Sequence, residues 1–339
     1  MPKERIAYID FMKGLCIMLI VMGHVNDFSF DAILPNLNFA LKSFRIPMYF
    51  FLSGLFFKTY SGFNEFLRKK VNNLIVTLLF FHVLCCVLWV PLLYLVHHYL
   101  PEVNLQFPLS YAIPSFHRRY WFAATALWFL VALFGVNVLY YLFQRYMKFA
   151  GVVAAVTVCS IIGYILMKQH IELPLDLDIV FVGLPYFVLG SAVKRFGLME
   201  PSKYDKYGFL VILPCVWIIY RFSGDIDLLH QVVPNYFLLY LIPFVAILSL
   251  FWCCKNLSYV PLVCHYGRYS IILLGTHQIL ITYVWLALIA FTHLQPSLIP
   301  IVTIVLVFAI ELLVIHLLVK YFPRFTAQQE FFKPGWSIS

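Results

Sequence analysis

Two ionisable side chains, Lys13 and His24, stand eleven residues apart in the first apolar run of the chain. At about 100° per residue, this spacing places both on nearly the same face of an α-helix, roughly 16 Å apart along its axis. Ionisable residues inside a membrane span are costly and usually face a cavity or a partner. A lysine can bind phosphate as a point charge, and a neutral imidazole can take a proton from a hydroxyl. We therefore expect a buried stripe with a cation at one end and a general base at the other.

Two acidic residues accompany this pair. Asp27 follows His24 by three residues and could orient the imidazole, as a carboxylate does in a catalytic triad. Asp10 and Lys13 could instead be a structural i,i+3 pair, with the lysine reaching toward the interface. His24 could equally be a capping residue at the level of the outer lipid headgroups. The spacing alone leaves these alternatives open.

The chain as a whole has the composition of a membrane protein. Of its 339 residues, 63% are hydrophobic and 12% are charged, whereas a soluble domain usually has roughly 25% charged residues. A transmembrane helix needs roughly 20 apolar residues, and candidate runs occur at 6–27, 40–58, 72–96, 120–143, 148–167, 177–195, 206–222, 235–253, 267–291 and 297–319. We predict an all-α integral membrane protein, with about ten transmembrane helices in a single domain over residues 1–339.

The net charge of +9 would suggest nucleic acid in a soluble protein. Here most lysines and arginines lie between apolar runs on the N-terminal side of the bundle, so the bias indicates orientation and no nucleic-acid partner. Ten spans place both termini on one side, which we predict to be cytoplasmic, in the inner (plasma) membrane. The eight cysteines lack CxxC spacing, and we interpret them as small hydrophobes. We expect no metal.

Other polar residues interrupt or flank the later runs. His277 lies mid-span between a threonine and a glutamine, and we expect this polar group to face a cavity. Arg118 and Arg119 lie at the outer mouth, where they could contact an anionic glycan or lipid carrier. Trp128 could stack on a sugar ring. Glu311 lies within the last run and has no assigned role.

Five motifs follow one another in order along the chain. The K-x10-H pair is followed by FRIPMYFFLSGLFF (44–57), ALWFLVALF (126–134), YFVLGSAVKR (186–195) and GRYSIILLGTHQILI (267–281). This order resembles the membrane-bound acyltransferase 3 family, particularly its fucose 4-O-acetylase-like members, from residue 5 to about residue 320. In that family the first span carries R/K-x10-H and the second opens with F-R-x-P.

The resemblance implies O-acylation of a sugar or glycan hydroxyl, with acetyl-coenzyme A as the acyl donor. The family's catalytic histidine corresponds to His24, its basic partner to Lys13, and its arginine in the second span to Arg45. The tetrahedral oxyanion would need hydrogen-bond donors, which Arg45, Ser53 or His277 could supply. Direct transfer and a transient acyl-histidine both remain open.

A basic patch follows the second span at Arg68, Lys69 and Lys70. It matches a cytoplasmic patch of the family and would face the compartment in which coenzyme A is made. The RxxR form sometimes found there is absent, and these residues could instead be positive-inside anchors.

A transporter or flippase for a glycan, lipid or small metabolite is the alternative function, because it would also line a cavity with charged residues. Such proteins more often show paired repeats or broken spans in matching positions, and none is apparent. A structural or sensory membrane protein is the third possibility, and it would not need Lys13 and His24 on one stripe.

Overall fold

The computed structural model describes residues 6–25, 37–100, 124–200, 202–218, 221, 226–255 and 260–333. Within these residues the fold is all-helical, apart from an isolated bridge between Asp227 and Val232. The α-helices are α1 (Ala7–Gly23), α2 (Leu37–Leu55), α3 (Phe63–Lys70), α4 (Val76–Tyr99), α5 (Trp128–Tyr146), α6 (Phe149–Lys168), α7 (Leu177–Arg195), α8 (Gly208–Ile218), α9 (Tyr236–Lys255), α10 (Pro261–Arg268), α11 (Ser270–Phe291) and α12 (Ile299–Tyr321). A π-helical turn, Val71–Ile75, joins α3 to α4, and 3-10 turns occupy Thr125–Leu127, Pro174–Asp176 and Asp205–Tyr207.

Seven helical segments in the described chain have the length and apolar composition of membrane spans. They comprise α4 with the short helix before it, α5, α6, α7, α9, α11 and α12. The all-α prediction is thereby confirmed, and these helices are those of a multi-pass membrane protein. The predicted first, second and seventh spans correspond to α1, α2 and α8. That these three also cross the membrane, and that both termini are cytoplasmic, stay predictions.

Helix α1 is shorter than the predicted first span. It ends at Gly23, a residue type of low helix propensity, and the His24 backbone N–H closes the last turn by donating to the Val21 oxygen at 3.1 Å. His24 is therefore exposed in the turn beyond the helix, and Lys13 is half-buried. The expectation of a buried histidine is wrong. The argument that helical spacing aligns the two side chains also fails at His24, because the helix has already ended.

The chain divides into two compact units. The first unit comprises residues 1–20, 29–59 and 135–270, and the second comprises residues 21–28, 60–134 and 271–339. In the first unit, α7 packs against both α2 and α6, while α8 packs against α9. In the second unit, α4 packs against α11, where the Phe81 ring lies against Gly275. The expected single domain over residues 1–339 stays a prediction.

Helices α2 and α7 of the first unit cross at two glycines. Gly54 lies against the backbone oxygen of Phe187, and Gly190 lies against the backbone oxygen of Phe51. A methyl group at either glycine would overlap the facing oxygen, which belongs to the backbone and cannot rotate away. Small residues permit such close approach of membrane helices, whose association depends on packing and not on the hydrophobic effect.

Gly190→Ala is expected to destabilise the protein by about 1–3 kcal/mol, because the added methyl group overpacks this crossing. Thermal unfolding in detergent measures the effect. Gly62→Ala is the matched control: Gly62 is the N-cap of α3 and has open space around it, so its alanine variant loses only a capping preference and its melting temperature should fall less than that of Gly190→Ala. Equal melting temperatures for both variants would show that the crossing tolerates a side chain.

Candidate active site

Three consecutive polar side chains on α11 contact three different parts of the second unit. Thr276 contacts α12, the His277 ring faces His24, and Gln278 reaches the 3-10 turn before α5. Successive residues of an α-helix are separated by about 100°, so the side chains of three consecutive residues point in different directions around the helix axis. Inside an apolar bundle each polar group must find a partner within the protein. The polar group around His277 is therefore a junction between helices, and the expectation that it faces a cavity stays a prediction.

The His24 and His277 imidazoles lie side by side, with ring centroids 5.1 Å apart. His277 is 0% exposed, and its Nδ1 lies 2.6 Å from the backbone oxygen of Leu273. A carbonyl oxygen can only accept a hydrogen bond, so Nδ1 of His277 carries the hydrogen. One exposed and one buried imidazole thus form a pair, in which His24 is the ring that lies at the surface of the described residues.

Gln278 connects His24 to the start of α5. Its Oε1 accepts a hydrogen bond from the Ala126 backbone N–H at 3.0 Å, and its Nε2 donates to the Thr125 hydroxyl at 2.8 Å. The same Nε2 lies 3.4 Å from Nδ1 of His24. Because a backbone N–H can only donate, the Ala126 contact fixes which end of the carboxamide is the oxygen. The NH2 group of Gln278 therefore faces the His24 ring.

Thr276 joins α11 to a buried carboxyl group on α12. Its hydroxyl oxygen lies 2.8 Å from the Ile272 backbone oxygen and 2.7 Å from Oε1 of Glu311. A threonine hydroxyl has one hydrogen, which its two acceptors can share, whereas a protonated Glu311 would donate its own hydrogen to Thr276 and leave the threonine hydrogen to Ile272. Glu311 is 0% exposed, where an ionised carboxylate would be costly. We interpret it as a neutral acid that ties α12 to α11.

Glu311→Gln is expected to change the stability by no more than about 0.5 kcal/mol, because a neutral amide can form the same hydrogen bond to Thr276. Glu311→Ala should cost about 2–4 kcal/mol, since it leaves a cavity and removes the partner of the threonine. Thermal unfolding in detergent compares the two variants. If the glutamine variant is as unstable as the alanine variant, the site needs a negative charge and the neutral-acid interpretation is wrong.

Two predicted donor-binding residues, Lys13 and Arg45, belong to the first unit. The Lys13 ammonium lies 4.7 Å from the centre of the Phe56 ring, and its backbone oxygen accepts a hydrogen bond from the Tyr49 hydroxyl at 3.0 Å. Arg45 is 7% exposed and donates to the Leu19 backbone oxygen at 2.8 Å. A cation near the C-terminal end of a helix is favourable. Arg45 therefore stabilises the end of α1, just before the turn that carries His24.

Arg68, in the second unit, is engaged by the C-terminal segment. It is 7% exposed, forms an ion pair with Glu330 and donates to the Phe332 backbone oxygen at 3.3 Å. Asn72 forms two hydrogen bonds with the Phe332 backbone: its amide nitrogen donates to the Phe332 oxygen at 2.9 Å, and its amide oxygen accepts from the Phe332 N–H at 2.8 Å. A phosphate could reach Arg68 only if this segment moved.

The other two residues of the basic patch also have neighbours of their own. Lys69 forms an i,i+4 ion pair with Glu65, and the Lys70 ammonium lies 6.0 Å from the centre of the Tyr60 ring. Burial, with a smaller contribution from the Glu65 carboxylate, raises the pKa of Tyr60 to about 12, so its ring stays neutral beside the lysines. The three cations of the patch thus have different neighbours: Glu330 for Arg68, Glu65 for Lys69 and the Tyr60 ring for Lys70. A role toward coenzyme phosphates stays a prediction for all three.

The remaining predicted site residues lie in separate places. Ser53 is half-buried on α2 of the first unit. Trp128 is the first residue of α5 and is 6% exposed, so stacking on a sugar would require its ring to become accessible. Asp27, Arg118 and Arg119 lie outside the described residues. Among the residues that are described, no group of three or more metal-ligating side chains is placed to hold an ion.

Of the residues at this site, His24 and His277 are predicted from the sequence, whereas Gln278 and its partner Thr125 are not. A glutamine in mid-span is a signal that could have been followed, because its amide needs partners at both ends. A single threonine before an apolar run carries no such signal.

A family model described as an acyltransferase domain matches residues 6–318. The match covers nearly the whole chain and includes both histidines of the imidazole pair. No curated protein and no solved structure matches the chain.

Proposed function

The chain belongs to the membrane-bound acyltransferase 3 family, and from this premise we propose that it transfers an acetyl or other short acyl group from acyl-coenzyme A to a hydroxyl of a sugar or cell-surface glycan. Family membership makes the chain an acyltransferase, acting on an acyl donor and an acceptor in a membrane. The observation that carries the finer proposal is His24, an exposed imidazole held beside a second imidazole at 5.1 Å. The resemblance to fucose 4-O-acetylases suggests a sugar acceptor, and the inner membrane is the proposed location.

In the proposed reaction His24 acts as a general base. It takes the proton of the acceptor hydroxyl while the oxygen attacks the thioester carbonyl, forming a C–O bond. Collapse of the tetrahedral intermediate breaks the C–S bond, and the proton passes from His24 to the departing thiolate, so that the products are an ester and free coenzyme A. General-base catalysis of this kind contributes about 10²–10⁴-fold to a rate.

Lys13 is proposed to bind a phosphate group of the donor, and Asp27 to orient the imidazole. A lysine suits a phosphate because its ammonium is a compact charge with three donors. Its half-buried position over the Phe56 ring reduces the competition from water for that charge. Arg45, Arg68, Lys69 and Lys70 are secondary candidates for the donor, while Ser53, Arg118, Arg119, Trp128 and His277 are candidates for the acceptor or the oxyanion.

His24→Ala is expected to lower kcat for acyl transfer by about 10²–10⁴-fold, because the general base is lost. Purified protein is incubated with labelled acetyl-coenzyme A and a panel of sugars, and both labelled ester and free coenzyme A are measured. His293→Ala is the matched control, since His293 is exposed in the loop after α11 and should leave kcat unchanged. Full transfer activity in His24→Ala would exclude the general-base role. Absence of transfer and of thioester hydrolysis by the wild type with every acceptor would overturn the proposed donor and acceptor classes.

Lys13→Ala is expected to raise KM for acetyl-coenzyme A about tenfold or more with a smaller change in kcat, because a charged hydrogen bond to the donor is worth about 1.5–3 kcal/mol. Lys13→Arg should retain most of the affinity, since it keeps the positive charge. Steady-state kinetics at varied donor concentration separate the two parameters. Lys203→Ala is the control, because Lys203 is exposed. An unchanged KM in Lys13→Ala would remove Lys13 from the donor site.

A further inference from the structure

Gln278 is a polar residue that the proposed reaction does not use. Its carboxamide is held at three points, all in the second unit: the Ala126 N–H at its oxygen, and the Thr125 hydroxyl and His24 Nδ1 at its nitrogen. The first two contacts have short distances of 3.0 and 2.8 Å, while the contact to His24 is 3.4 Å. The amide is thus anchored by the turn before α5 and offers its second N–H to the imidazole.

This arrangement selects one form of the imidazole ring. An amide N–H can only donate, so the facing nitrogen, Nδ1 of His24, must present a lone pair, and the neutral ring must carry its hydrogen on Nε2. Rotating the amide to face His24 with its oxygen would break the Ala126 hydrogen bond and leave a buried backbone donor unsatisfied, which is unfavourable. A doubly protonated ring would place two donors against each other. Gln278 therefore favours the neutral ring with its lone pair on Nδ1.

We propose that Gln278 is a positioning residue for acyl transfer, which fixes Nδ1 of His24 as the nitrogen that accepts the proton of the acceptor hydroxyl. The proposal rests on the proposed function for the reaction, but its geometry is independent of it. The His24 contact, at 3.4 Å, is longer than a well-formed hydrogen bond. A hydroxyl that approaches Nδ1 can therefore displace the Gln278 amide from it. The hydroxyl then donates its hydrogen to Nδ1, and its oxygen accepts the released amide N–H. Thr125 and the Ala126 N–H keep the amide in place during this exchange.

Other titratable groups lie on the elements packed around this site. His277 faces His24 from α11, with ring centroids 5.1 Å apart. Glu311 of α12 contacts Thr276, and His82 of α4 lies beside Cys86. Gln278, which contacts the imidazole, and Thr125, which contacts Gln278, are both uncharged. A charge introduced at residue 278 would therefore be the charge nearest to Nδ1 among these groups.

Gln278→Glu reverses the polarity of the group that faces His24 while keeping its size. One carboxylate oxygen can still accept from Ala126, and the other now faces Nδ1 and favours a protonated ring, as an opposite charge within about 4–6 Å does. We expect kcat for acyl transfer at neutral pH to fall at least tenfold, with KM for the acyl donor unchanged. We also expect the acidic limb of the pH–kcat profile to move up by about one pH unit or more.

A measurement that needs no acyl transfer separates this inference from the proposed function. Diethyl pyrocarbonate reacts with a histidine ring only when the ring is unprotonated, and peptide mass spectrometry resolves the rate at His24 from the rates at other residues. In Gln278→Glu the pH of half-maximal modification at His24 should rise by about one unit or more. This result can be obtained even if no acceptor is found. An unchanged midpoint at His24, in a variant that elutes as a folded protein, would overturn the inference.

Two further variants keep the test decisive if Gln278→Glu is unstable. Thr125→Val removes one anchor of the amide and should lower kcat about three- to tenfold, whereas Thr125→Ser, which restores the hydroxyl, should recover it. A purely structural role for Thr125 would alter the melting temperature without changing the pH–kcat profile, and that result would count against the proposal. Gln295→Glu is the matched control, because Gln295 is exposed after α11 and should move neither kcat nor the His24 midpoint.

Discussion

A polar side chain inside an apolar helix bundle must find its hydrogen-bond partner within the protein, and the arrangement of α11 follows from this requirement. Lipid offers no hydrogen bonds, and a buried polar group without a partner costs several kcal/mol. Thr276, His277 and Gln278 each form at least one such hydrogen bond, to Glu311, to the Leu273 backbone and to the turn at Thr125 and Ala126. The same contacts that satisfy these groups also fix the surroundings of His24.

Two buried arginines also have their partners within the protein. Arg45 caps the end of α1 through the Leu19 oxygen, and Arg68 pairs with Glu330. Each of these arginines serves the fold with its guanidinium, because Arg presents several donors in a fixed plane and remains charged when buried. Lys13 differs, since its ammonium lies over an aromatic face and its stem is half-buried. A cation in such a setting can exchange partners more easily than a buried arginine.

Apolar runs in the sequence predict where the helices lie, but they do not predict which distant side chains form hydrogen bonds or ion pairs. Apolar runs place helices directly, and the sixth predicted span coincides with α7 from 177 to 195. The predicted first span extends to residue 27 because a membrane crossing needs roughly 20 residues, whereas α1 ends at Gly23 and the polar His24 lies in the turn beyond it. The pairs Arg68–Glu330 and Thr125–Gln278 join distant residues, and no periodicity encodes which distant residue a polar group will meet. The i,i+4 pair of Glu65 and Lys69 is local and could have been predicted from spacing alone.

The contacts of Arg68 with Glu330 and Phe332 bear on the order in which the two units can fold during synthesis. Asn72 and Phe332 are 260 residues apart, and the second unit combines residues 21–28, 60–134 and 271–339. A unit assembled from segments this far apart in the chain cannot be completed until Phe332 has been synthesised. The first unit can close earlier, because residue 270 ends it. The contacts around His24 involve Thr125, Ala126, His277 and Gln278, all of which precede the segment that holds Arg68 in the chain. They can therefore form before the second unit is complete, and the contacts of Arg68 with Glu330 and Phe332 follow.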